Sequence, residues 1–331
     1  MGTFDSDFFY NLAMADDNNS PLKTNSAMLT DVGMVREHNE DSVFIDNLHG
    51  LFVVADGMGG HAAGEVASQM AVEEIKKALL ENREAIDSFT SNPTKEHRED
   101  VVALIESSVH TAHKMVYETG LNDPTKKGMG TTLDILVLAG TEAFVAHVGD
   151  SRTYLIRNKN AVPMTMDHTV AEVLVVEGKL TKEEAEKSPL RTVLVNAIGV
   201  ASEVGVEMTH LPVRKGDKFL VCSDGLYDYF PNNSEVFDVC SQSTPEEALG
   251  IFIEGAKNRG GHDNITGVVV EIIDAPDSAD FAEDVNHDVT ESRSTIKISE
   301  EYEKIVSTPT LKIATDENNK IIMTDETEDM D

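Results

Sequence analysis

Three apolar runs rich in β-branched residues each stop on an aspartate: Leu51-Phe-Val-Val-Ala-Asp56, Phe144-Val-Ala-His-Val-Gly-Asp150 and Phe219-Leu-Val-Cys-Ser-Asp224. A fourth, Asp263, stands just ahead of the run Ile265-Thr-Gly-Val-Val-Val-Glu-Ile. Runs of this length bounded by Gly and Asp read as buried strands. Carboxylates at the ends of neighbouring strands can converge at one edge of a sheet. Packed together they repel, raise one another's pKa and cost stability unless a cation sits among them. An all-oxygen set favours hard divalent cations, Mg²⁺ or Mn²⁺, over zinc or copper. The pattern therefore predicts a metal enzyme.

With 331 residues, 40% of them apolar, the chain can bury a sizeable core of aliphatics, Met and Phe; there is no Trp. The formal charge is −33, from 60 acidic against 27 basic side chains. That balance argues against nucleic acid or an anionic membrane as the main partner, since phosphate is bound by basic surface. Of the two cysteines, Cys222 falls inside a predicted core strand and reads as a small buried hydrophobe. Neither is followed by Arg at the spacing that cysteine-dependent phosphatases need. No apolar stretch reaches about 18 residues, and the first residues lack a signal-peptide pattern. The expectation is a soluble, cytoplasmic monomer with no membrane insertion.

Residues 1–27 read as a flexible polar leader, and residues 28–273 as the globular domain. Over 274–331 the chain carries 17 acidic and 5 basic residues with few aromatics. Such a segment buries too little to offset its ordering entropy, so it reads as a disordered acidic tail, with 310–314 as a candidate edge strand. Within the domain, periodicity predicts helices over 64–82 and over 95–119, the latter closing on Gly120. A third opens on the capping box Thr244-Pro-Glu-Glu247. Strands are expected in blocks: 29–33 with 42–46 and 51–55, 132–138 with 143–148 and 152–156, and 206–211 with 217–222 and 265–272. Strand blocks separated by helices indicate an α+β fold with mostly antiparallel sheets.

The segments that carry chemistry are Arg36-Glu-His-Asn-Glu40-Asp41, Asp56-Gly57-Met-Gly-Gly-His61, Gly128-Met-Gly-Thr-Thr132, Gly149-Asp150-Ser-Arg152, Asp167-His168, Asn196-Ala-Ile-Gly199, Ser223-Asp224-Gly225 and Gly261-His-Asp263-Asn264-Ile-Thr266. In this order they resemble the metal-dependent serine/threonine protein phosphatases (type 2C), in their compact bacterial form, over about residues 28–273. The resemblance implies a sandwich of two packed antiparallel β-sheets flanked by helix pairs, in α-β-β-α layers, with a two-metal cleft at one edge. It implies Asp56 as the carboxylate bridging two Mg²⁺ or Mn²⁺ ions, with Glu40 and the Gly57 carbonyl completing one site. Asp224 and Asp263 become ligands of the other, and Asp150 the ligand of a third, weaker site shared with Asp224. Asp41 matches the position that orients the attacking water, and Arg36 the phosphate clamp. Residues 168–198 match a flap beside the cleft, in which relatives often carry Thr-Arg where this chain has Val195-Asn196.

Elementary chemistry supports the same reading. A phosphate monoester dianion resists an anionic nucleophile. Two divalent ions can lower the pKa of a bridging water and neutralise phosphoryl oxygens during in-line displacement, and a guanidinium is a natural fork for the remaining oxygens. Arg36 has a second reading, a surface ion pair with Glu37 or Glu40. His61 is a candidate proton donor or a local hydrogen-bonding group, and the leaving-group acid is unassigned. Asn264 is expected to support the site through hydrogen bonds, Ser151 and Arg152 to brace Asp150, and Thr131 and Thr132 to satisfy nearby backbone. His147 and His168 are read as structural. The implied activity is signal-terminating dephosphorylation of phospho-Ser and phospho-Thr proteins, opposing a bacterial-type Ser/Thr kinase. The alternatives are a same-fold phosphatase of an anti-sigma-factor antagonist and an inactive binding scaffold.

Overall fold

The computed structural model describes residues 22–59 and 63–276, and the backbone of 313–315 and 321–323. In chain order the elements are β1 (Lys23–Asp31), β2 (Asp41–Asp46), β3 (Leu51–Met58), α1 (Ala63–Glu81), α2 (Glu84–Ser91), α3 (Lys95–Asn122), β4 (Gly130–Thr131), β5 (Leu133–Ala139), β6 (Glu142–Val148), β7 (Arg152–Arg157), β8 (Asn160–Pro163), α4 (Val170–Val176) and α5 (Lys182–Ala185). They continue with β9 (Glu207–Pro212), β10 (Lys218–Cys222), α6 (Asp224–Tyr227), α7 (Asn233–Gln242), α8 (Pro245–Asn258) and β11 (Ile265–Asp274). Two antiparallel sheets form, ordered β1-β11-β10-β7-β8 and β2-β3-β5-β6-β9, with β4 paired to β3.

Strands buried on both faces explain the unbroken apolar runs. Phe52 and Val54 of β3 pack with Phe219 and Val221 of β10 and Val268 and Val270 of β11 in the layer between the sheets. The alternate residues Leu51, Val53 and Ala55 face Ile75 of α1, Phe89 of α2 and Ile105 of α3. On the opposite side Leu220 and Val269 meet Leu226, Leu249, Phe252 and Ala256. Three apolar layers separate helices, sheet, sheet and helices, which is the expected α-β-β-α architecture.

The strand blocks pair differently from the expectation. β1 joins β11 along its whole length rather than β2. β7 leaves the β5–β6 hairpin to pair with β10, while β9 crosses to β6. The chain thus changes sheet after β1, β6, β8 and β9, which doubly buried runs cannot reveal. β1 also begins at Lys23, inside the expected leader. Its early residues are polar because it is an edge strand, and Ser26 donates to Asn47 Oδ1 at 2.6 Å. Helix α3 runs past Gly120 to Asn122, where the Asp123 N–H bonds the Thr119 carbonyl. Both cysteines are buried and free.

The rest of the leader and most of the acidic tail lie outside the described residues. A second unit, 296–331, contains β12 (Ile313–Thr315) paired antiparallel with β13 (Ile321–Met323), so Ile313 and Ala314 of the candidate edge strand find a local partner.

Candidate active site

Pairing of β2 with β3 sets Asp41 opposite Asp56. The Gly57 N–H donates to the Glu40 carbonyl at 3.1 Å. A side chain at Gly57 would meet the Gly64 carbonyl at 2.2 Å and that of Glu40 at 2.4 Å, so only glycine lets these segments close. The peptide of Asp56 is clamped from β4 and the residue after it. Its N–H donates to Thr132 Oγ1 at 2.8 Å, and its carbonyl accepts from the Thr132 N–H and Thr131 Oγ1, each at 2.9 Å. The hydroxyls satisfy backbone as expected, and the backbone is that of Asp56 itself.

Asp224 opens α6 directly after β10, and Asp263 lies in the turn before β11, so β10–β11 pairing brings both to the same edge. A Cβ on Gly225 would stand 2.0 Å from the Asn264 carbonyl, which is why glycine follows Asp224. Asn264 is buried and fully used. Its Oδ1 accepts from the Glu40 N–H at 2.8 Å, and its Nδ2 donates to the carbonyls of Val32 and His38 at 3.0 and 2.9 Å. It sews the Arg36-to-Glu40 loop to the Asp263 turn. Arg36 Nη2 donates to Asp263 Oδ2 at 2.7 Å. Its partner is therefore neither Glu37 nor Glu40 but a carboxylate 227 residues away, which local spacing cannot suggest.

Asp150 follows β6, and Tyr227 of α6 donates its hydroxyl to the Asp150 carbonyl at 2.8 Å. Arg152 forks onto Asp167 at 2.8 and 2.7 Å and lies 3.8 Å above the Tyr227 ring. Ser151 Oγ is 2.7 Å from Thr132 Oγ1. The brace around Asp150 thus runs through Tyr227, a residue the sequence reading missed. Ser223, also missed although inside a quoted segment, donates to Asp41 Oδ2 at 3.0 Å. His61 lies outside the described residues.

Electrostatically the cleft is loaded. Desolvation first, then Asp41, Asp224, Asp150 and Asp263, push the Asp56 carboxyl well above its ordinary range. Asp224 is raised by desolvation and by Asp150, Asp228, Asp263 and Asp41. Asp150 is pushed up to about 7 by desolvation and Asp167, and Asp41 to about 6, chiefly by desolvation. Glu40 rises by desolvation, with Arg36 opposing. Among the described residues no three His, Cys, Asp or Glu side chains meet closely enough, as they stand, to hold an ion. The set nevertheless fits a hard divalent cation. Its donors are all oxygens, the carboxylates disfavour one another's charge, and Asp41 Oδ1 and Asp224 Oδ1 are buried without a hydrogen-bond partner.

Residues 35–248 match the profile of the protein phosphatase 2C family. The chain is 36% identical over 251 residues to the serine/threonine phosphatase stp of Listeria monocytogenes, covering 73% of this chain and 93% of that one. The chain belongs to the protein phosphatase 2C family. It is a protein serine/threonine phosphatase. Its fold matches a crystal structure of the Mycobacterium tuberculosis phosphatase PstP/Ppp, with TM-score 0.65 and 35% identity over 75% of this chain and 98% of that one. It also matches a catalytic-domain structure of PstP in complex with two manganese ions, with TM-score 0.64 and 34% identity over 76% and 99% of the two chains.

In this phosphatase His147 and His168 form a buried histidine pair, ring centroids 4.4 Å apart. His147 Nδ1 faces Asp134 Oδ1 at 2.5 Å and its Nε2 faces the Met166 carbonyl at 3.0 Å. Two acceptors require a doubly protonated ring. Burial opposes that charge, but Asp134, with Glu207 and Asp167, holds the His147 pKa up to about 9. His168 is the opposite case: burial and the neighbouring His147 push it down to about 4.

An unfolded histidine titrates near 6.5, so the stability contributed by His147 is complete below that pH and is lost as pH rises towards 9. Urea midpoints of wild type and His147→Gln, both without metal, should differ most at pH 6. The gap should shrink by pH 9, with a change on the order of 2–3 kcal/mol. A gap independent of pH would show that the ring is neutral when folded.

Proposed function

We propose that this phosphatase hydrolyses phospho-Ser and phospho-Thr proteins with two Mg²⁺ or Mn²⁺ ions, and reverses the action of a Ser/Thr kinase in the cytoplasm as a monomer. What supports the reading is that Asp263 lies near enough to Glu40, Asp56 and Asp224, each from a separate segment, to raise their pKa values, and that Arg36 bonds Asp263 itself. When bound, the cations would supply charge neutralisation at the phosphoryl group and activation of a water for attack on phosphorus.

Asp56 would bridge the pair, Glu40 and the Gly57 carbonyl would complete one site, and Asp224 and Asp263 the other. Asp150, with Asp224, would hold a weaker third ion. Asp41 has Oδ2 occupied by Ser223 and leaves Oδ1 free of hydrogen bonds. That oxygen would accept a hydrogen bond from the attacking water and orient it towards phosphorus. Arg36, half-exposed, would leave Asp263 and fork onto the non-bridging phosphate oxygens. An inactive scaffold would be marked by lost carboxylates, and none of these is missing.

The test is manganese-supported release of phosphate from phosphothreonine and phosphotyrosine peptides. Only the former should be a good substrate. In the same assay Arg36→Ala should raise KM about tenfold to a hundredfold, the worth of a charge-assisted hydrogen bond pair. Arg36→Lys should recover only part, because an ammonium lacks the planar fork. An unchanged KM in Arg36→Ala would remove the clamp from the scheme.

A further inference from the structure

The flap root grips the residue before Asp150 from two sides. The His168 N–H donates to the Gly149 carbonyl at 2.7 Å, and the Gly149 N–H donates to His168 Nδ1 at 3.0 Å. On the returning limb of the flap, Asn196 Nδ2 lies 3.0 Å from the same Nδ1. The Asn196 amide has only one orientation here. Gly205 donates its N–H to Oδ1 at 3.1 Å and accepts from Nδ2 at 2.8 Å. Nδ2 is therefore a donor, and Nδ1 accepts from two donors at once. That demands a neutral ring with its proton on Nε2, which lies 3.7 Å from Glu207 Oε2. The two limbs are also joined directly, by the Val195 N–H to the His168 carbonyl at 2.9 Å. Any shift of the flap root is thus transmitted to Gly149, and the next residue is Asp150, whose own carbonyl is fixed by Tyr227.

We propose that His168, held in one tautomer by Asn196, is a positioning residue that fixes Asp150 relative to the flap root, so that the weakest cation and the docking of the flap depend on each other. The cation half of this rests on Asp150 being a ligand. His168 touches no substrate and acts only through the Gly149 peptide. A leucine there removes the acceptor, whereas an asparagine returns an amide oxygen at the distance of Nδ1 from the backbone.

The test uses the full chain, with calorimetric Mn²⁺ titration, steady-state kinetics on a phosphothreonine peptide, and amide exchange at Gly149. His168→Leu should weaken the weakest Mn²⁺ step about tenfold or more, as loss of an outer hydrogen bond to a metal site does. It should lower kcat more than it changes KM and accelerate exchange of the Gly149 N–H. His168→Asn should recover most of all three, which a purely space-filling role would not produce. Wild-type Mn²⁺ affinity and Gly149 exchange in folded His168→Leu would overturn the proposal. Should that variant fail to fold, Asn196→Asp decides: it keeps Oδ1 for Gly205 but withdraws the donor facing Nδ1. The same losses are expected, and unchanged values overturn the tie. Asp150→Asn runs alongside. If it leaves the weakest Mn²⁺ step intact, the ligand role of Asp150 fails, while Gly149 exchange still decides the tie through His168.

Discussion

Asp56→Asn should abolish turnover and at the same time stabilise the metal-free chain. The side chain is isosteric, so packing against Thr131 and Thr132 is kept and the clamp on the Asp56 peptide is untouched. What changes is charge. Asp56 faces Asp41 across the β2–β3 ladder, and its pKa is raised by burial first, then by Asp41, Asp224, Asp150 and Asp263. Without cations, an amide has no charge for burial and the neighbouring carboxylates to oppose, so folding no longer requires that side chain to take up a proton, worth on the order of 1 kcal/mol in an unfolding titration with chelator. With cations, the bridge between the two proposed sites is gone. Turnover should then fall at least about 1000-fold, ~4 kcal/mol in the barrier. Retained activity would refute the bridging role, and a destabilised metal-free variant would refute the cost of that proton uptake.

Chelation should have an effect of similar size on the wild-type enzyme. EDTA should stop phosphate release, and excess Mn²⁺ or Mg²⁺ should restore it. The same experiment has a readout without substrate. A ligand at about 100 times its Kd stabilises the folded state by ~2.7 kcal/mol, about 5–10 °C in Tm for a domain of this size. Asp56→Asn should lose most of that shift. If Mn²⁺ moves neither activity nor Tm, the carboxylates serve some purpose other than holding cations.

Much of this site was legible in the chain because its chemistry is local. Apolar runs that end on aspartate mark where strands finish to within two residues: Asp224 follows the end of β10, while β3 continues past Asp56 to Met58. One helix start was equally readable: the capping box Thr244/Glu247 forms. Sheet membership was not. Phe52 and Val53 are fully buried on opposite faces, so neither tells which sheet a strand joins. Edge strand β1 was read too short because its polar residues bond across the sheet edge rather than alternate with apolar ones. Helix α7 went unread because it buries only Val236 and Cys240. Contacts between distant segments were also invisible. The Arg36–Asp263 pair, the Tyr227 brace and the charged ring of His147 exist only once the sandwich has closed.

Anomalous diffraction from crystals grown in manganese locates each ion against named oxygens. Two strong peaks are expected, bridged by the Asp56 carboxylate, one reached by Glu40 and the Gly57 carbonyl and the other by Asp224 and Asp263. Saturating manganese with no anomalous density at Asp56, Asp224 and Asp263 would contradict that assignment.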